Sequence, residues 1–237
     1  MHPIQQAEEW YDQSLETGIT QLETGNYRVD PYLLSDDDSR YGITLLIRPD
    51  PSICSAIQDF LNTLKSIDPN QYYYPASDIH VTVLSIISCF EGFELNQVNP
   101  AEYIRIITNT LQNCSAFELE FRGVTLSSGA VMIRGHLVND QLNHIREQLR
   151  SAFRASKLLH SIDARYTIFT AHSTVVRYQY PIEHIPAWIH KIREYQDHFF
   201  GKQEVGTLEL VSNDWYQRKE KVRLLQPFYL SKQIPST

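Results

Sequence analysis

Cysteine is scarce in this chain. Its 237 residues hold three, Cys54, Cys89 and Cys114, far apart and without a Cys-x-x-Cys pair. That spacing excludes a disulfide framework or a cysteine zinc site and reads as free thiols in a reducing compartment. No apolar run approaches the ~20 residues of a membrane span. Met1 to Glu9 is polar and acidic, unlike a signal peptide, so a cytoplasmic protein without membrane partners is expected. No glycine-rich phosphate loop and no Gly-x-Ser-x-Gly elbow occurs, which removes nucleoside triphosphatases and α/β-hydrolases. Positive charge is short as well. Against 28 Asp and Glu stand 21 Lys and Arg, a net charge of −7. This argues against bulk nucleic-acid binding but leaves room for a nucleotide or RNA end in a locally basic cleft. His184, His190 and His198 lack the i, i+4 spacing of helical zinc pairs and read as surface residues. No metal and no cofactor is expected.

With 42% hydrophobic and 11% aromatic residues, the chain has material for one large domain or two small lobes. Ile4, Ala7, Tyr11, Leu15, Ile19 and Leu22 recur at helical spacing. Residues 1–40 are therefore expected to form a helical extension and linker, set apart by Gly25 and the polar run from Ser35 to Ser39. The rest, 41–237, reads as two β-α-β-α-β lobes, roughly 41–128 and 129–237. The first has strands at 41–48, 79–87 and 117–126, with helices opened by Asp50-Pro51 and Asn99-Pro100. The second has strands at 131–138, 167–176, 207–212 and 222–230. Its helices follow Asp140 and Pro186, the latter with Trp188, Ile192, Tyr195 and Phe199 on one face. Element order repeats, although side chains do not.

The most informative feature lies in matched strands of the two halves. His80-Val81-Thr82-Val83 and His172-Ser173-Thr174-Val175 stand about 90 residues apart, each in a β-type run. A chance count for His-x-Thr in this composition is ~0.5, so the tripeptide alone says little and its context carries the signal. Side chains i and i+2 share a face of a strand. Each histidine therefore sits beside a threonine, a proton-transfer group next to an oxyanion donor. A single histidine reads as a hydrogen-bonded core residue; a matched pair facing one cleft reads as catalytic. Unperturbed imidazoles would give a bell-shaped pH profile near ~6.5. Arg177 and Tyr178, at the end of the second strand, are the candidate substrate contacts, although Arg177 has parity opposite to His172. Most of the 14 tyrosines are expected to pack, and the turn from Asp214 to Lys221 is read as solvated.

On these residues the chain resembles the 2H phosphoesterase superfamily, which includes RNA 2′-5′ ligase-type proteins and cyclic phosphodiesterases. The resemblance rests on apolar-His80-apolar-Thr82-apolar, on His172-Ser173-Thr174-apolar, and on Arg177 five residues after the second histidine. Ser85 stands at the matching place in the first half, and Ser173 replaces an apolar residue at a position read as outward-facing. The resemblance implies a bilobal α+β fold with mainly antiparallel sheets around a central cleft. It also implies a metal-independent phosphodiesterase, with one histidine as general base, the other as general acid and the threonines on the phosphate. Implied substrates are 2′,3′-cyclic phosphates, 2′-5′-linked RNA ends and small cyclic nucleotides. Two other readings stay open: a sugar isomerase or mutarotase using the same histidines, and a non-catalytic RNA- or nucleotide-binding module. Oligomeric state is not legible.

Overall fold

The computed structural model describes residues 3–35 and 37–232. Its helices form where a start signal precedes an apolar stripe. Helix α1 (Pro3–Glu23) buries Tyr11, Leu15, Ile19 and Leu22. Proline at the first turn opens α2 (Pro51–Lys65), where its fixed φ suits the helix and its missing N–H costs nothing. Asp50 makes no side-chain cap there; its N–H goes instead to Gln203 Oε1 at 2.7 Å. Helix α3 (Pro100–Leu111) is capped by Asn99, which accepts from the Ala101 N–H at 3.2 Å. Helix α4 (Gln141–Ala155) buries Leu142, Ile145, Leu149 and Phe153, and with them Arg146 and Arg150. Helix α5 (Ile185–Glu194) buries Trp188 and Ile192.

The strands are β1 (Arg40–Ile47), β2 (Tyr72–Tyr73), β3 (Val81–Glu91), β4 (Phe117–Ser127), β5 (Ala130–Leu137), β6 (Ser173–Arg177), β7 (Phe199–Val205), β8 (Thr207–Asp214) and β9 (Arg223–Tyr229). They build two antiparallel sheets, ordered β3-β1-β8-β9 and β2-β6-β5-β4-β7. This is the α+β class read from the sequence.

The sheets do not follow the two halves of the chain. Strand β4, from the first half, lies in the second sheet, while β8 and β9, from the second half, complete the first. A lobe boundary at residue 128 therefore cuts both sheets. Element order says which strands exist; it does not say which edges they join, and β8 buries Leu208, Leu210 and Val211 beside β1. Strand β7 is a second departure. The apolar spacing from Trp188 to Phe199 reads as one helix face, but the helix ends at Glu194, and β7 turns Phe200, Gln203 and Val205 inward. Helix α1 is no appendage: it packs along β4 and β5. Among the described residues no helix is long and apolar enough to cross a membrane. Strand β3, at the edge of the first sheet, meets β6 of the second, and the cleft opens there.

Candidate active site

Both His-x-Thr strands carry a β-bulge at the same place. In β6, Thr174 pairs with Met132 and Val176 with Val131, so Val175 is an extra residue. In β3, Thr82 pairs with Leu46 and Leu84 with Leu45, so Val83 is extra. An inserted residue resets the alternation of side chains beyond it. Arg177 and Ser85, each three residues after its threonine, are thereby returned to the cleft face. A second irregularity in β3, between the Ile87 and Ser85 pairs, brings Ser88 round as well. Thr82, Ser85 and Ser88 are half-buried among buried neighbours.

His80, Thr82, His172, Thr174 and Arg177 line one cavity of about 150 Å³, space for roughly ten waters at ~10–15 Å³ each. Each histidine immediately precedes its strand. The His80 Nδ1 lies 2.8 Å from the Asp78 carbonyl. A carbonyl only accepts, so Nδ1 carries the hydrogen and Nε2 keeps its lone pair for the cleft. The His172 Nδ1 instead faces the Thr170 hydroxyl at 2.8 Å. A hydroxyl can donate or accept, so this contact suits either tautomer of His172. The hydroxyls of Thr82 and Thr174 have no hydrogen-bond partner among the described residues and lie on the cavity wall.

The bulge resolves the parity of Arg177. Its Nε donates to the Tyr74 hydroxyl at 3.0 Å, and the guanidinium lies over the Tyr216 ring, 5.5 Å from its centre. Tyr178, read as a substrate contact, is not one. It is fully buried outside the cavity, edge-on to Tyr27 and Trp188, because alternation resumes after Arg177 and turns it inward. The turn after β8 is not solvated either. Asp214, Tyr216 and Gln217 are buried, and Trp215 and Gln217 line the cavity. The guanidiniums of Arg40 and Arg165 both lie against the Trp215 indole, 4.7 and 4.8 Å from its ring centre. The Asp163 carboxylate, also on the wall, is taken up by Arg150 and Arg154 at 2.9 and 3.1 Å, which leaves the cleft basic. His184, His190 and His198 are exposed, as expected.

Two residues not singled out from the sequence join the motifs. Arg146 donates Nε to the Val83 carbonyl at 2.9 Å and Nη2 to the carbonyls of Thr82 (3.0 Å) and Thr170 (2.7 Å). One guanidinium thus grips both motif backbones. Four residues on, Arg150 donates to the Ile168 carbonyl at 2.7 Å. These arginines replace a sheet ladder for 167–172, which is why the expected strand begins only at Ser173. Ser173 is also not outward-facing: it is fully buried, and its hydroxyl donates to the His80 carbonyl at 2.7 Å. Arginines spaced i, i+4 on an apolar helix face were the available signal.

Although each ring keeps an edge to the cleft, the surrounding protein changes how it titrates. Burial pulls His80 down to about 4, and Arg48, His172 and Arg177 add to this against the Asp78 carbonyl. Burial, then Arg146 and Arg177, pulls His172 to about 4. Both imidazoles are thus neutral at pH 7, well below the ordinary range near 6.5. Arg146 is lowered by burial to about 9, still charged at neutral pH, and among the described residues it has no carboxylate partner. A phosphate anion in the cleft would counter each of these influences and favour protonated imidazole.

The chain matches the 2′-5′ RNA ligase superfamily over residues 49–214. Solved structures share the fold at low identity. TT0787 of Thermus thermophilus aligns with a TM-score of 0.60 at 12% identity, over 81% of this chain and 99% of its own. LigT of Escherichia coli complexed with 3′-AMP gives 0.53 at 14%, over 81% and 99%. The same protein complexed with phosphate gives 0.51 at 16%, over 82% and 99%. No curated protein matches the sequence. The matched span runs from α2 to the end of β8 and holds both histidine motifs, so the chain belongs to the 2′-5′ RNA ligase superfamily, within the 2H phosphoesterases.

Proposed function

We propose that this protein is a metal-independent phosphodiesterase acting on a nucleoside or RNA-terminal 2′,3′-cyclic phosphate. The observation that carries the reading is the pair of His-x-Thr strands, each bulged one residue after its threonine, turned onto one basic cavity. The His80 Nε2, bare because Nδ1 is tied to a carbonyl, takes a proton from the attacking water. The P–O bond to one ribose oxygen breaks as the new P–O bond forms. His172, protonated once the phosphate anion is bound, delivers its Nε2 proton to the leaving oxygen and is left as the neutral imidazole. Thr82, Thr174 and Arg177 hold the non-bridging oxygens as charge builds on them.

Hydrolysis of 2′,3′-cyclic AMP, followed by ³¹P NMR in the presence of EDTA, tests this. One phosphomonoester product from the wild type, and none from His80→Ala or His172→Ala, is the expected result. Loss of activity on chelation, restored by Zn²⁺ or Mn²⁺, overturns the metal-free mechanism. Micromolar binding without turnover of cyclic phosphates or 2′-5′ dinucleotides would make the protein a nucleotide-binding module instead.

A further inference from the structure

The segment that delivers His172 is held on one edge by the arginines of α4. On the other it meets α1, which lies outside the span shared with the superfamily. In the β5–β6 ladder, Met132 pairs with Thr174 and Ile133 with Ser173. Two residues further, Gly135 comes opposite Ala171, and a side chain on Gly135 would place its Cβ 2.1 Å from the Ala171 carbonyl oxygen. There the Tyr11 hydroxyl enters the ladder. It accepts from the N–H of Ala171 at 3.1 Å and of Gly135 at 3.3 Å, and donates to the Gly135 carbonyl at 3.1 Å. That uses the whole capacity of a phenol, one residue before the histidine. Tyr11 is fully buried, and its own carbonyl accepts from Thr125 Oγ1 at 2.8 Å. Its neighbour acts on the ring. Trp10 lies nearly parallel to the His172 imidazole, at 27° and 6.2 Å between centres, and stands edge-on to Phe169.

We infer that Tyr11 and Trp10 are positioning residues for His172, the first fixing its backbone and the second its ring plane. The inference rests on the proton-transfer role proposed for His172. It makes activity depend on a helix outside the shared body. A splice through a side chain, in place of a direct ladder bond, sets the strand end by where α1 docks. That docking is itself specified by polar links: Ser14 to the Leu126 carbonyl at 2.5 Å, Arg134 to Asp12 at 2.7 Å and His136 to Glu8 at 2.6 Å.

The test uses the full chain and reads two quantities. With 2′,3′-cyclic AMP, Tyr11→Phe and Trp10→Ala should each lower kcat, on the order of 10²-fold for an ångström-scale misplacement, with KM little changed and Trp10→Phe largely restored. The second readout needs no turnover: the His172 and His80 ring nitrogens are titrated by ¹⁵N NMR. The groups facing His172 are Arg146, Arg177 and His80, and none is altered by these variants. Uncovering one face of the ring should therefore move the His172 titration in Trp10→Ala up from about 4 toward its ordinary value, while His80 stays in place. A general loosening of the fold would move both. If the His172 titration and kcat are unchanged in Trp10→Ala, the positioning role is wrong, whether or not Tyr11→Phe folds. A wild type inactive on every phosphodiester tried, yet showing the selective His172 shift, would sink the function and leave the structural coupling standing.

Discussion

The two His-x-Thr strands make a close comparison. In both, a histidine precedes the strand, a threonine follows at i+2, the next residue bulges, and the residue three beyond the threonine returns to the cleft. The frame is symmetric and the chemistry hung on it is not. His80 is tied to a carbonyl and His172 to a hydroxyl. The first strand presents Ser85 where the second presents Arg177. A pseudo-symmetric frame supplies two similarly placed imidazoles; a carbonyl beside one and a hydroxyl beside the other set them apart.

The largest effect expected is on the histidines themselves. His80→Ala and His172→Ala should each cost about 10²–10⁴ in kcat/KM, and each should lose a different limb of the pH profile. Because kcat/KM reports the free enzyme, its acid limb should fall near pH 4, below the unperturbed imidazole range. The alkaline limb of kcat should lie higher, where bound phosphate raises His172. Identical profiles for the two variants would erase this asymmetry. Next come the threonines: Thr82→Val and Thr174→Val keep shape and remove a donor, and each should cost on the order of 10²–10³ in rate. Unfolding with a normal specific rate would mark them as strand formers only.

Arg177→Ser makes the second strand a copy of the first at that position. Losing a charge-assisted contact should reduce kcat/KM by about 10–100-fold, equivalent to roughly 1.5–3 kcal/mol. A change under twofold would mean that the cleft does not distinguish the two sides. The smallest effect is on stability. Between about pH 6.5 and 4 the unfolded chain binds protons that His80 and His172 refuse in the fold, so stability rises with pH across that window. His136 works in the opposite sense. Against the desolvation of burial, Glu8 and the Arg122 carbonyl hold its pKa above the ordinary value. Its contribution is full below that value and is lost as pH rises through the folded one. The drop in Tm from pH 6.5 to 4 should therefore shrink in a His80→Asn, His172→Asn double variant, whereas His136→Gln should leave that drop nearly unchanged and remove a loss of Tm that the wild type shows as pH rises above 6.5. Equal slopes in all three proteins would contradict these titrations.

Both motifs were legible because strand parity needs only neighbours in sequence. What escaped was what a single inserted residue does. Val83 and Val175 look like any β-branched strand residue, yet as bulges they decide that Arg177 faces the cleft and Tyr178 the core. Long-range pairing escaped too: nothing local says that β8 belongs beside β1 or that Trp215 overhangs the cavity. Tyr195 and Phe199 continued a helical stripe by spacing alone, while the chain turned after Glu194. The buried arginines of α4 were hidden because a charged residue on an apolar face reads as a stem passing outward, and here it reaches carbonyls instead.

The interleaving of the sheets bears on how the molecule comes into being. A growing chain that has just released β6 already contains both histidines, both threonines and Arg146. It still lacks β8, which separates β1 from β9 and carries the turn that roofs the cavity. The Ser173 hydroxyl must find the His80 carbonyl across 93 residues of chain. Such distant pairings close slowly, since loop entropy is lost before the contacts form. Until then the apolar edge of β1 has no neighbour on that side and is open to self-association. Synthesis therefore completes the site and protects that edge in one event, the arrival of β8 in the last quarter of the chain.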